Sequence, residues 1–249
     1  MLEPPTYLEI GIRYGDSLAL ARSTSAGVDP AFELSEEFAD LPKRAALFRE
    51  TSDEFFDRPE PLEPFGGRPA ALSFIDGMHL VEYALRDFVN VERCSDWTSV
   101  VVFDDIFPAD EQMASRRRRT LQWTGDVYKI VSILARRRPD LICLQVDTSP
   151  TGLLLVLGLD PDSDKLDDRF DEIVVDAIRP DPQRVPRDVL ERRDALAPEA
   201  LLGASFWSFL REARARGVSR GQGLRKLRRR IKRDAAEAVR SPVAGAPAR

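Results

Sequence analysis

The residues best suited to chemistry are His79, the only histidine in the 249-residue chain, and the aspartates Asp76, Asp104 and Asp105. They occur in two pieces. Phe74-Ile75-Asp76-Gly77-Met78-His79 ends one strand-like run with an Asp-x-x-His box, and Phe103-Asp104-Asp105 ends another with paired carboxylates. In an open α/β sheet ligands bind at the carboxyl ends of the strands, and adjacent strands are only ~5 Å apart. Two such strands therefore bring three carboxylates together, where they repel one another unless a cation or a proton separates them. An all-oxygen site of this kind suits Mg²⁺, Ca²⁺ or Mn²⁺. An imidazole one helical turn beyond Asp76 reaches the same pocket, as a general base near neutral pH.

Such a site needs strands that end side by side, and the chain predicts them. Thr6 to Ile12 reads as a buried strand, Arg13-Tyr14-Gly15 as a turn, and Asp16-Ser17 as the cap of a helix over 18–22. Ala26 to Pro30 is a short second strand ending in Asp29, which follows Gly11 by 18 positions, the separation at which such folds place a carboxylate on ribose hydroxyls. A third strand is predicted over 45–49, a capped short helix over 51–56, and a Pro/Gly-rich loop over 57–69. The fourth strand spans 70–76, and Leu80, Tyr83, Ala84, Phe88 and Val91 give the helix after it an apolar face. The near-continuous apolar run 98–105 implies a central parallel strand. After the loop 106–122 and a helix over 126–138, the runs 141–147 and 152–157 are joined too tightly for a crossover helix, so they pair antiparallel. The fold class is therefore α/β: a Rossmann-like, doubly wound seven-stranded sheet with a terminal antiparallel hairpin, plus a C-terminal helical extension. Helices are predicted over 164–178 and 189–215. The units are 1–185 for the sheet domain, 186–235 for the extension ending in a basic stretch, and 236–249 for a disordered tail.

Charge is distributed unevenly. Between Arg211 and Arg233 lie eleven basic residues and one acidic one, a local +10, so a net charge of −5 leaves −15 for the rest. Such a stretch can contact nucleic acid or a membrane surface, but no motif supports either, and a disordered or exposed helix is the favoured reading. Its charge, opposite to that of the body, also allows a homo-oligomer. Arg116 to Arg119 form a second basic run, read as a solvated loop that could also clamp a phosphate. Trp123-Thr124-Gly125-Asp126 either line an acceptor site or anchor the next helix. No apolar run is long enough to span a bilayer, no signal peptide is evident, and Cys94 and Cys143 match no metal spacing, which together fit a reducing, cytoplasmic setting.

Tyr7 to Gly15, Gly27-Val28-Asp29-Pro30, Phe74 to His79 and Val100 to Asp105 together resemble class I S-adenosylmethionine-dependent methyltransferases. The nearest subgroup is the bacterial one with an Asp-Gly-x-His box, similar to metal-dependent sugar and natural-product O-methyltransferases. The resemblance covers roughly residues 6–160. It implies that Glu9, Gly11 and Gly15 shape the pocket around the methionine part of the cofactor. Asp29 holds the ribose, Ser52 and Asp53 lie near the adenine, and Asp76 borders the cofactor. It further implies that Asp76, Asp104 and Asp105 bind a divalent metal, Mg²⁺ foremost, and that His79 deprotonates a hydroxyl of a small-molecule or glycan acceptor. Two departures stand out: Arg13 replaces a frequent third glycine, and the chain begins almost at the first strand, where many relatives have covering helices. The resemblance thus implies a lid that is missing, supplied by a partner subunit or replaced by the C-terminal helices. The competing readings are an NAD-dependent oxidoreductase, against which the absent Gly-x-Gly-x-x-Gly counts, and a non-catalytic module binding nucleic acid or a protein through its basic stretch.

Overall fold

The two runs that carry the aspartates lie side by side. In the computed structural model, which describes residues 1–35 and 45–240, β4 (Leu72–Ile75) pairs in parallel with β5 (Val100–Phe103), Ile75 opposite Phe103. On the other edge of β4 runs β1 (Thr6–Ile10), followed outward by β2 (Thr24–Val28) and β3 (Ala45–Phe48), all parallel. Beyond β5 come β7 (Leu153–Leu157) and β6 (Ile142–Val146), with β7 antiparallel to both its neighbours. The sheet order is β3-β2-β1-β4-β5-β7-β6. This is a Rossmann-like, doubly wound seven-stranded sheet, and the terminal hairpin is where the short 148–151 connection predicts it.

The helices are α1 (Asp16–Ala19), α2 (Ser52–Phe56), α3 (Val81–Arg93), α4 (Lys129–Arg137), α5 (Phe170–Ala177), α6 (Arg187–Leu190), α7 (Pro198–Leu202), α8 (Phe206–Ala215) and α9 (Arg220–Arg240). Thr51 caps α2 through a reciprocal box with Glu54, so that helix starts as its sequence predicts. In α3 the buried residues Ala84, Phe88 and Val91 face the sheet, but Tyr83 is exposed: the apolar stripe is centred one position further round. The predicted helix 189–215 is corrected to three pieces, α6, α7 and α8. Pro198, which lacks an amide proton, can only sit in a first turn, and it opens α7. The basic stretch is helical, and α9 continues to Arg240, into the segment expected to be disordered; residues 241–249 lie outside the described residues.

The two faces of the sheet are covered differently. Leu8, Ile10, Val28, Ile75, Val101, Phe103, Leu154 and Val156 point to one face and pack with buried residues of α2, α3, α4 and α5. On the opposite face Val100, Ile142, Leu155 and Leu157 pack with Phe206 and Leu210 of α8 and Leu227 of α9. At the far end of that face Tyr7, Ile12 and Leu18 form a small cluster. Between these two clusters lies an open apolar groove of about 690 Å³, floored by Tyr7, Leu72, Phe74, Val102 and Leu153. Cys94 and Cys143 are free thiols. Among the described residues no helix is long and apolar enough to cross a membrane.

Candidate functional site

The site is built where three strands stop. β1 leads into Gly11, whose φ of +87° suits glycine and whose missing side chain is a steric necessity, since a Cβ there would stand 2.0 Å from the Asp76 carbonyl oxygen. That close approach lets the loop after β1 touch the loop after β4; the Asp76 amide donates to the Ile10 carbonyl and the Gly11 amide to the Val28 carbonyl. Gly15, at φ +83°, precedes the first turn of α1. Arg13, where a third glycine is common, takes the left-handed conformation itself at φ +40°.

Glu9 is fully buried and accepts hydrogen bonds from Tyr7 Oη at 2.7 Å and from Ser17 Oγ. Burial pushes its carboxyl up to about 7, against the lowering effect of the two hydroxyls and with a further rise from Asp76. Asp29 follows β2 directly, and its two oxygens accept the amides of Arg13 (2.8 Å) and Ala31 (2.7 Å). The carboxylate is oriented by the backbone, and each oxygen keeps a lone pair for a further donor. Ser52 opens α2 close to Asp87 of α3, a buried carboxyl that desolvation pushes up to about 7 while Ser52 pulls it down. Asp53 pairs with Arg86 at 2.9 Å and lines a polar cleft of about 650 Å³ on the α2–α3–α5 side.

His79 stands between carboxylates. Its Nε2 lies 3.3 Å from Asp76 Oδ1, and its Nδ1 lies 2.8 Å from Asp105 Oδ2 and 2.6 Å from the Trp123 carbonyl oxygen. The Trp123 indole stacks on the imidazole, ring centres 5.2 Å apart and 12° from parallel. Burial alone would lower the His79 pKa, but the hydrogen bonds to Asp105 and Asp76 outweigh it and raise it to about 10. Asp76 is itself raised by burial and by Asp105, with His79 and Arg13 pulling the other way. Asp76, His79 and Asp105 each offer a ligand atom within 4.8 Å of the others. Asp104 is turned aside: its Oδ1 accepts the Asp105 amide at 2.7 Å and Thr151 Oγ1 at 3.0 Å. It remains within electrostatic reach, because burial and then Asp76 and Asp105 push it up to about 6.

The loop after β5 closes the far side. Gly125, at φ +55°, lies so close to His79 that a Cβ would fall 1.6 Å from the His79 carbonyl oxygen. Arg116 pins the loop, donating to Glu82 (3.0 Å) and to Asp126 (2.8 Å), while Asp126 Oδ1 accepts the Val81 amide at the start of α3. Asp181, between α5 and α6, accepts the Arg116 amide at 3.0 Å and the Arg117 amide at 3.3 Å. Of the four arginines in the run, Arg116 is thus a structural strut. The C-terminal region contributes this support at the site's rim, while α8 and α9 pack on the sheet face away from it.

The structure therefore gathers Asp76, His79 and Asp105 into one cluster, sets Gly11 against it, and places Glu9, Gly15 and Asp29 on the neighbouring strand ends. Ser52 and Asp53 sit one helix away. Three partners are not identified by the sequence reading: Ser17, taken only as a cap; Asp87; and Thr151. The signal for Asp87 was a carboxylate at an inward position of α3 beside Phe88, since buried charges are rarely left without purpose.

No family model matches the sequence. No curated protein matches it either. Among solved structures, the O-methyltransferase TomG from Streptomyces achromogenes, in complex with S-adenosylmethionine, is 18% identical, with 64% of this chain and 74% of that chain covered and a TM-score of 0.46. The O-methyltransferase from Bacillus cereus, in complex with S-adenosylhomocysteine, is 17% identical over 63% and 75%, TM-score 0.40. The N-methyltransferase NodS from Bradyrhizobium japonicum is 12% identical over 61% and 84%, TM-score 0.38. Likeness this distant does not speak to cofactor or acceptor, which rest on the site itself.

Proposed function

We propose that this chain is an S-adenosylmethionine-dependent O-methyltransferase acting on a hydroxyl of a small molecule or glycan, with His79 as the general base. The observation that carries the reading is the seating of the sole histidine between Asp76 and Asp105, on strand ends that abut the side-chain-free turn at Gly11. The residues fit the two absent groups. Asp29, held by two backbone amides, has acceptor capacity left for the two ribose hydroxyls, and Glu9 with Ser17 forms a polar wall beside the turn for the methionine part. Ser52 and Asp53 border the adenine end. Asp76 and Asp105, with Asp104 alongside, form the oxygen-rich donor set that a hard divalent cation such as Mg²⁺ prefers.

When bound, S-adenosylmethionine supplies an activated methyl group, and a divalent cation lowers the pKa of the acceptor hydroxyl. The chain's own residues do the rest. Nδ1–H of His79 donates to Asp105 and the Trp123 carbonyl, which fixes the ring, and Nε2, which faces Asp76, is the atom that would take the hydroxyl proton once the charge of Asp76 is neutralised. Trp123 prevents the imidazole from swinging away. Holding acceptor and sulfonium in line supplies much of the rate.

Calorimetry with S-adenosylmethionine and a screen of hydroxylated acceptors with labelled cofactor test this reading. His79→Ala should keep cofactor binding and lose turnover by about 10²-fold or more. Gly11→Ala should abolish cofactor binding, because the new methyl group forces the β1 and β4 loops apart. EDTA should stop turnover and Mg²⁺ restore it. The single histidine also gives a clean NMR signal: in EDTA it should stay protonated up to about pH 10, and Mg²⁺ should lower that midpoint by drawing charge from Asp76 and Asp105. Full turnover by His79→Ala, or no binding of S-adenosylmethionine to the wild type, refutes the proposal.

A further inference from the structure

We infer that the acceptor is a phosphate ester, its phosphate held by the Arg117–Arg119 tip of the loop that carries Trp123. The inference rests on the methyltransferase reading and narrows its substrate class.

The loop has a fixed root and a charged tip. Arg116 is consumed by Glu82 and Asp126, and Trp123 is locked on His79. Between them Arg117, Arg118 and Arg119 are exposed. Arg117 is held through its backbone, its amide donating to Asp181 and its carbonyl accepting from Ser115 Oγ, and Arg119 is near enough to Asp181 to help lower that carboxyl's pKa. Arg118 has the informative contact: its Nη2 donates to the Leu121 carbonyl at 3.0 Å, folding the guanidinium back along the loop toward Trp123. Two residues of chain span at most about 7 Å, so Arg118 Nη2 lies no further than roughly 13 Å from His79 Nδ1. A sugar or nucleoside phosphate whose hydroxyl meets His79 can reach that guanidinium with its phosphate.

Exposed apolar side chains flank the stacked His79–Trp123 pair in sequence: Leu121, 94% exposed, shortly before Trp123, and Met78, 54% exposed, next to His79. A flat ring can lie against such residues while its charged end extends to the arginines. The surroundings give those arginines a reason to exist. The chain outside 211–233 carries −15, and Asp76, Asp104 and Asp105 stand at the reaction centre, so an anionic acceptor is repelled except where cations are concentrated. Arginine, with its planar fork, is the residue that grips phosphate in two places at once.

The test uses the full chain without metal, with inorganic pyrophosphate, glucose 1-phosphate and glucose as probes. Binding is followed by calorimetry and by tryptophan fluorescence, with Trp123→Phe identifying the responding indole. Both phosphates should bind and perturb Trp123 while glucose alone does not, and affinity should fall with added salt. Arg118→Ala should weaken phosphate binding about tenfold, whereas Arg229→Ala on α9 should leave it unchanged. The inference is overturned if neither phosphate binds, if Arg229→Ala abolishes binding while Arg118→Ala does not, or if glucose binds as well as its phosphate. S-adenosylmethionine binding, measured separately, distinguishes the two failures: cofactor binding without phosphate binding removes this inference and leaves the methyltransferase reading intact.

Discussion

The two faces of the sheet are covered by different means. One face is covered by its own crossovers: α3 follows β4, α4 follows β5, and both return to Leu8, Ile75, Val101 and Phe103. The other has only the four residues of α1 from its local connections among the described residues, and takes its remaining helical cover from α7, α8 and α9, far from β5 in sequence. Between the two patches the groove over Tyr7, Leu72 and Phe74 stays open. The lesson is that local connectivity builds the face on which α3 lies, while the opposite face depends on appended chain.

That difference can be broken experimentally. The largest effect is expected on the locally covered face: Phe88→Ala, which removes a fully buried ring packed 5.8 Å from Phe103, should cost about 3–5 kcal/mol in urea unfolding and take cofactor binding with it. On the appended face Leu227→Ala, also fully buried, should cost about 2–4 kcal/mol. If the faces are separable, α9 helicity is lost in that variant while S-adenosylmethionine still binds. A single coincident transition for helicity and cofactor binding would instead make the sheet and its appendage one cooperative unit.

A smaller effect is expected from pH, with one buried acid on each side of the sheet. Glu9, on the groove side, and Asp87, on the α3 side, are both raised to about 7 by burial. A raised carboxyl binds its proton more tightly folded than unfolded, so the contribution of these two groups to stability is full below about pH 4 and declines as pH rises toward 7. Glu9→Gln and Asp87→Asn should each flatten part of that decline in thermal melts recorded between pH 4 and 8. If neither changes the slope, the burial argument for these carboxyls fails. The smallest effect belongs to the open groove: Leu20→Ser, at a residue 81% exposed, should alter stability by no more than about 0.5 kcal/mol. A markedly larger loss would mean that something occupies the groove in solution.

Sequence made the locally covered face readable and the appended face opaque, for one physical reason. β4, β5 and α3 advertise themselves by period: alternating or continuous apolar runs and a three-four spacing that need only their own residues to interpret. The 189–215 segment has a helical composition, but Pro198 and Gly203 break it, and where α8 and α9 dock depends on contacts with Trp97 and Leu157 that no local pattern encodes. The site shows the same division. Asp76, His79 and Asp105 follow from strand ends and spacing. The rotation of Asp104 onto Thr151, forty-seven residues away, and the stacking of Trp123 on His79 arise only when distant loops meet.

Gly125 gives the loop after β5 a particular kind of freedom. Because a single methyl group there would collide with the His79 carbonyl, the spacing between imidazole and indole is gauged by a missing side chain. The root of the loop is thereby calibrated, and its tip, from Arg117 to Gln122, is exposed or half-exposed and largely free of packing. Replacements at the tip can change the loop's charge while the His79–Trp123 spacing stays constant. Under the proposed function, choice of acceptor and chemical competence would then be separate traits.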